Sequence, residues 1–250
     1  MSATETMSTI LVTRQVDRVE VRLNRPAVRN AINQAMVDEL YTVCAELEAD
    51  PRILILTGTD GVFASGADIA ELRDRTSEDA LAGINTRLFM RIAGLPMPVI
   101  AAIDGYALGG GAELAYAADF RIGTSRLKIG NPETALGIIA AAGALWRLRE
   151  LVGEPLAKEM LLAGRVLHAQ EALAAGLVTR LCEPPQLLDA AHGLADDIAS
   201  KDPVATRYSK ALLGVDRGRH PDSDLAAQAV LFDSTEKRRR MTEFLERRKG

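Results

Sequence analysis

Cysteine is nearly absent. The 250 residues hold two, Cys44 and Cys182, far apart and outside any Cys-x-x-Cys pattern, which excludes a disulfide framework or a zinc knuckle. There is no cationic excess either: 30 Lys and Arg stand against 34 Asp and Glu, a net charge of −4, so nothing offsets the phosphates of a nucleic acid, and no nucleic-acid partner is expected. The three histidines, His168, His192 and His220, are isolated. No H-E-x-x-H spacing exists, so no metal site is expected, and these rings read as surface or capping groups. Ser65 lacks the G-x-S-x-G context of a nucleophile elbow. The dinucleotide pattern G-x-G-x-x-G after a first strand and the P-loop Gly-Lys-Ser/Thr are both missing, which leaves NAD and ATP unsupported. The first ten residues carry Glu5 and no Lys or Arg, unlike a secretory signal or transit peptide, and a reducing cytoplasm is the compartment expected. The longest nearly uncharged run, Thr134 to Trp146, is too short to span a bilayer and is interrupted by Gly137 and Gly143, so no membrane association is expected.

What is present is an ordinary globular composition, 48% hydrophobic and 26% charged, over a length that suits one large domain with a smaller appendage. Ile10, Val12, Val19, Val21 and Leu23 alternate with polar residues around Asp17-Arg18, the pattern of an opening β-hairpin. From Asn33 the apolar residues Met36, Val37, Leu40, Val43, Cys44 and Leu47 recur every three or four positions until Asp50-Pro51, which predicts one buried helix face. Ile53 to Leu56 and Val99 to Ile103 are uninterrupted apolar runs, as in strands buried on both faces. Phe120 to Ile122 and Leu127 to Ile129 are further candidate strands. Beyond about Glu154 helical patterns dominate, separated by glycines and prolines. The class is therefore α/β with an all-helical tail. Boundaries of 1–195 and 196–250 are expected, with Arg73 to Asp79 as an exposed charged loop and Glu236 to Lys249 as a basic helix carrying Met241, Phe244 and Leu245 on one side.

Chemistry has two candidate seats with one layout. After the Ile53 strand comes the small-residue turn Gly61 to Asp68 and then the helix-like Ile69-Ala70-Glu71-Leu72. After the Val99 strand comes Asp104 to Leu108, then Gly109-Gly110-Gly111-Ala112-Glu113 opening an Ala-rich helix. Small residues let the backbone approach a ligand, and the amides at a helix start have no internal acceptor. Two such amides aimed at one point stabilise an oxyanion by a few kcal/mol each. A connection that merely turns the chain is the alternative for either loop alone; the repetition favours the ligand. Two carboxylates complete the set, Glu113 and Glu133. Carboxyls near apolar walls and near each other keep a proton more easily, so one can donate while the other accepts. The alternatives are a helix-start acid for Glu113 and a solvated loop for Glu133.

Asn24-Arg25-Pro26 with Asn30-Ala31, Phe63 to Ile69, Gly105 to Leu114, Asn131-Pro132-Glu133 and Ala172 with Gly176-Leu177-Val178 resemble the enoyl-CoA hydratase/isomerase (crotonase) family, in order from about Asn24 to Lys249. The resemblance implies a spiral of ββα units, a C-terminal helical trimerisation region, and a homotrimer or dimer of trimers. It also implies an acyl-CoA thioester whose carbonyl oxygen lies between the amides of Ala67 and Gly110. Arg25, Ala64, Ser65, Asp68, Ile69 and Gly109 would contact the substrate and its CoA, with Phe244 and Arg247 supplied near the chain's end to a neighbouring subunit. Glu113 and Glu133 match the two acids of the family's hydratases, in which water adds to a trans-2-enoyl-CoA to give a 3-hydroxyacyl-CoA. Coenzyme A is then part of the substrate, and no further cofactor is needed. One stretch departs. The family often reads Pro-Gly-x-Gly-Gly-Thr where this chain has Ala140 to Leu145 followed by Trp146, an exchange expected to narrow or dry the water position. Rival expectations are a Δ3,Δ2-enoyl-CoA isomerase or another thioester reaction, a silent acyl-CoA-binding subunit, and, most remotely, a hydrolase built on Ser65.

Overall fold

The computed structural model describes residues 4–247; Lys249, the expected end of the basic helix, lies outside them. The chain divides into two compact units between Asp196 and Asp197.

The first unit is organised by two mixed sheets. Strands β1 (Thr4–Thr6), β2 (Ile10–Arg14) and β3 (Arg18–Leu23) form an antiparallel ribbon in which Val12 faces Val21. Helix α1 (Gln34–Ala49) then buries Met36, Val37, Leu40, Val43, Cys44 and Leu47, its start capped by the Asn33 side chain accepting from the Met36 amide. Strand β4 (Ile53–Gly58) returns parallel to β3, with Val21 opposite Leu56. Next comes a short strand absent from the sequence reading, β5 (Val62–Ala64), inside the stretch expected to be a simple turn. Helices α2 (Ile69–Asp74), α3 (Ser77–Ala82) and α4 (Ile84–Ala93) follow. The charged segment Arg73 to Asp79 is thus largely exposed as expected but is not a loop. It ends α2 and opens α3, which Thr76 and Asp79 fix in a reciprocal capping box.

The same strand, short strand, helix sequence recurs as β6 (Val99–Ile103), β7 (Tyr106–Leu108) and α5 (Gly110–Tyr116), and again as β8 (Phe120–Thr124) and β9 (Lys128–Gly130) leading toward α6 (Ala144–Val152). Here too β7 lies within an expected turn, Asp104 to Leu108. Helix α7 (Glu154–Leu162), β10 (Val166–His168), α8 (Ala169–Ala174) and β11 (Arg180–Cys182) complete the layers. The long strands build a sheet of order β1-β2-β3-β4-β6-β8-β11, and the short ones a second of order β10-β9-β7-β5. Every residue of β6 is buried, which is what its unbroken apolar run requires. Helix α9 (Leu187–Ala199) crosses the division between units.

The second unit consists of α10 (Pro203–Leu213), α11 (Asp222–Phe232) and α12 (Thr235–Arg247). Leu213, Leu225, Val230, Phe232, Met241, Phe244 and Leu245 are exposed there. Among the described residues no helix is long and apolar enough to cross a membrane.

Candidate active site

The strand-then-helix layout converges at the junctions of β5 with α2 and of β7 with α5. Ile32 forms a parallel bridge to Ala67: the Ile32 amide donates to Gly66 O at 2.8 Å and the Asp68 amide to Ile32 O at 2.9 Å. Both bonds flank Ala67, so its own amide is turned away from the bridge. Gly110 is the first residue of α5, where the helix offers its amide no acceptor. Gly109 precedes it with φ +52° and ψ −126°, a geometry that glycine alone adopts without strain. A methyl on Gly111 would overlap the Ala64 carbonyl, so the third glycine lets α5 settle directly on β5. A Cβ built on Gly110 would lie 3.4 Å from the Ala67 amide nitrogen, which places the two nitrogens no more than about 6 Å apart for standard bond lengths. That spacing allows both to reach one oxygen at hydrogen-bond distance.

Both carboxylates are buried beside this point. Glu113, 3% exposed, accepts at Oε1 from the amides of Ala142 (2.7 Å) and Ala144 (3.1 Å). Burial pushes its carboxyl up to about 7; the Ala144 and Ala142 bonds oppose this, and the negative charge of Glu133 adds to it. The helix-start reading of Glu113 would stabilise the anion, but desolvation prevails. Glu133, 9% exposed, opens a single 3-10 turn, Glu133–Leu136, and is not in a solvated loop. Its Oε1 lies 3.3 Å from the position of a Cβ on Gly109 and accepts from Asn131 Nδ2 at 3.2 Å. Its Oε2 is buried with no hydrogen-bond partner. Burial also raises its proton affinity, opposed by its own backbone amide and by Asn131.

Sequence reasoning missed the support behind Glu133. Buried Tyr116 donates its hydroxyl to Asn131 Oδ1 at 3.0 Å, and Asn131 Nδ2 also reaches Gly109 O at 3.4 Å. One polar residue two positions before an acid in an apolar stretch was the available signal, and nothing in the sequence reveals the tyrosine's part.

Arg25 donates to Asp68 Oδ2 (2.9 Å) and to Ala31 O (2.6 Å), and its guanidinium holds the Asp68 carboxyl below the usual carboxylate range. Asp68 also caps α2 by accepting from the Ala70 amide. Ala64 is buried under Gly111, and Ile69 is exposed at the start of α2. The Ser65 hydroxyl donates to Val28 O at 3.4 Å. No histidine serves it. His192 Nε2 lies 2.8 Å from Glu20 Oε2 and the ring, half-buried, packs on buried Arg18; His220 pairs with Asp224, and His168 stands at the start of α8. Phe244 and Arg247 are exposed on α12 in the second unit, Arg247 3.7 Å from Glu243. The Ala140 to Trp146 stretch buries the small side chains of Ala140, Ala142 and Ala144, whereas Trp146 is 41% exposed. Its amides, rather than its large ring, meet Glu113. Among the described residues no cluster of His, Cys, Asp or Glu could hold a metal ion.

This arrangement has known counterparts. The enoyl-CoA hydratase/isomerase family profile matches residues 15–250. The short-chain-enoyl-CoA hydratase of Clostridium acetobutylicum is 39% identical over 92% of this chain and 91% of that protein. The crotonyl-CoA hydratase of Syntrophomonas wolfei is 38% identical over 91% of each. The crystal structure of an enoyl-CoA hydratase from Bacillus anthracis superposes with a TM-score of 0.89 at 31% identity, covering 98% of this chain and 96% of that one. The chain belongs to the enoyl-CoA hydratase/isomerase (crotonase) family. Its fold is the α/β crotonase fold, two mixed sheets followed by C-terminal helices.

Proposed function

We propose that the protein is an enoyl-CoA hydratase that adds water across the double bond of a trans-2-enoyl-CoA. The observation that carries this reading is the pair of buried, high-affinity carboxyls beside two uncommitted amides. The thioester carbonyl oxygen accepts from the Ala67 and Gly110 amides, which stabilise the negative charge gathering on it as the enolate forms. Glu113, its Oε1 anchored by two backbone amides, takes a proton from the water whose oxygen bonds to C3. Glu133, whose burial raises its affinity for a proton above that of an exposed carboxyl, delivers a proton to C2. The carbon–carbon double bond becomes single, one hydrogen and one hydroxyl are added, and a proton passing back through solvent or between the acids restores the starting state. Gly109, Ala64, Ser65, Ile69 and the Arg25–Asp68 pair border the thioester and CoA in this reading, with Phe244 and Arg247 offered to a neighbouring subunit. The exposed apolar side chains of the second unit support assembly as a homotrimer or a dimer of trimers. Two free thiols suit a reducing cytoplasm.

Mixing the protein with trans-2-enoyl-CoA esters of several chain lengths and following the conjugated thioester absorbance tests the reading. The expected outcome is decay of that absorbance with formation of 3-hydroxyacyl-CoA; absence of decay at every length overturns it. The buried methyls of Ala140, Ala142 and Ala144 near Glu113 favour a second reading, Δ3,Δ2-enoyl-CoA isomerisation. Product chromatography separates the two, because an isomerase converts a 3-enoyl ester faster than it hydrates a 2-enoyl one.

A further inference from the structure

One polar side chain beside the candidate site has no role in the chemistry above. Asn85, on the first turn of α4, points its amide at the junction of the two turns: its Nδ2 is 3.7 Å from the position of a Cβ on Gly110, the same point that lies 3.4 Å from the Ala67 amide nitrogen. Its Oδ1 is buried with no hydrogen-bond partner. The helix beneath is fixed, because Leu88, Phe89 and Ile92, three, four and seven residues on and so on the same side as Asn85, are buried and the neighbouring Thr86 hydroxyl donates to Ala141 O at 3.1 Å. Asn85 therefore has little freedom to swing toward bulk water. A buried carbonyl oxygen left unpaired is costly and is retained where some other molecule completes it.

We propose that Asn85 is a specificity-determining residue that recognises a hydroxyl group on the acyl chain of the substrate. This deepens the hydratase reading and rests on it for the CoA thioester. The chemistry selects the hydroxyl among polar groups. A primary amide presents an acceptor and donors side by side, and only a group that both donates and accepts satisfies the two together. A hydroxyl donates to Oδ1 and accepts from Nδ2. A ketone or carboxylate offers acceptors alone and leaves Oδ1 unpaired, and a plain alkyl chain leaves both unpaired while displacing whatever water filled the place.

The test uses non-reacting saturated esters, so that binding is read apart from turnover. Calorimetry compares hexanoyl-CoA with 2- and 6-hydroxyhexanoyl-CoA, which cannot close to five- or six-membered lactones, on the wild-type protein, on Asn85→Leu, which keeps the volume without the hydrogen bonds, and on Asn85→Ser, which supplies a smaller group that both donates and accepts. At least one hydroxylated ester binds the wild type roughly tenfold or more tightly than hexanoyl-CoA. In Asn85→Leu that ratio collapses toward about one, and Asn85→Ser recovers part of it. Three results overturn the inference: no hydroxylated ester preferred by the wild type, a preference that survives unchanged in Asn85→Leu, or weakening of all esters by one common factor, which makes Asn85 a third donor to the thioester oxygen instead. Discrimination in binding without hydration of any enoyl ester sinks the hydratase reading and leaves this one standing, whereas failure of every CoA ester to bind removes both.

Discussion

The two compact units solve the burial problem in opposite ways. In the first, apolar side chains from strands, helices and turns form one continuous core, and even charged Glu113, Glu133 and Arg121 are drawn under it. In the second, three helices bury Ala227 alone among its described apolar residues and leave Met241, Phe244 and Leu245 together on α12. A helix whose apolar side chains remain in water gains little from tertiary packing. The contrast teaches that the candidate acids and amides sit in the unit that has its own core, while the tail leaves apolar side chains exposed, the face that the proposed assembly would cover.

The largest expected effect lies in the first unit. Glu133→Gln keeps the size and the Asn131 contact but cannot deliver a proton, so hydration falls about 10²- to 10⁴-fold in the absorbance assay while the circular dichroism spectrum and melting temperature stay close to wild type. A loss below tenfold would divorce Glu133 from proton transfer and strip the first unit of its claim to the chemistry.

Glu113 exposes what the core spends on that chemistry. Its carboxyl is raised from 4.5 to about 7 chiefly by burial, so the folded protein binds a proton that the unfolded chain has already released. The corresponding stability is fully present below about pH 4.5 and is lost as pH rises through about 7. Glu113→Gln keeps an acceptor for the Ala142 and Ala144 amides and removes the titration. The expected difference in unfolding free energy, variant minus wild type, therefore rises between pH 5 and pH 8 by about 2 kcal/mol. Denaturant melts at the two pH values measure it, and a flat difference would show that burial does not perturb this acid.

Met241→Glu with Leu245→Glu sets charge on the exposed face of α12, and light scattering is expected to show the oligomer of the wild type dissociating toward single chains. A wild-type protein that is already monomeric, or a double variant that stays assembled, would break the contrast, leaving the apolar side chains of α12 without a partner copy.

The same division explains what could be read from the sequence. β4, β6 and α1 were legible because their pattern is imposed by burial along a single element: unbroken apolar runs of Ile, Leu, Val and Ala in the strands, and a three-four period from Met36 to Leu47 in the helix. The amide-rich turns were visible through Gly66, Gly109 and Gly110, since only small residues allow that approach. The strands β5, β7 and β9 were partly or wholly hidden. Each has three residues, includes Ala or Gly, and holds its place by pairing with its neighbours in the small sheet, an energy that no local propensity records. The burial of Glu133 was hidden for the same reason: next to Pro132 and Thr134 it looks like any polar loop residue, and only the approach of Gly109 from a distant stretch reveals the enclosure that Asn131, two residues before it, helps to form. The pairing of half-buried His192 was hidden because its partners, Glu20 and Arg18, lie far away in sequence on β3.

The smallest effect tests how far the core's own packing, rather than the acids alone, tunes the site. Tyr116 donates to Asn131 Oδ1, and Asn131 in turn donates to Glu133 Oε1, so the tyrosine acts on the acid only through the amide between them. Tyr116→Phe preserves the ring in its buried place and removes one hydrogen bond, leaving Asn131 Oδ1 unpaired. The expected cost is about 1–2 kcal/mol in unfolding free energy. Asn131 is then free to turn its amide over and lose its hold on Glu133. Because that hold favours the anion, the carboxyl of Glu133 moves further upward, and the pH dependence of kcat moves with it while KM, set by contacts with CoA, stays near its wild-type value. A melt that shifts without any displacement of the pH profile would assign Tyr116 to packing alone and confine the tuning of Glu133 to burial.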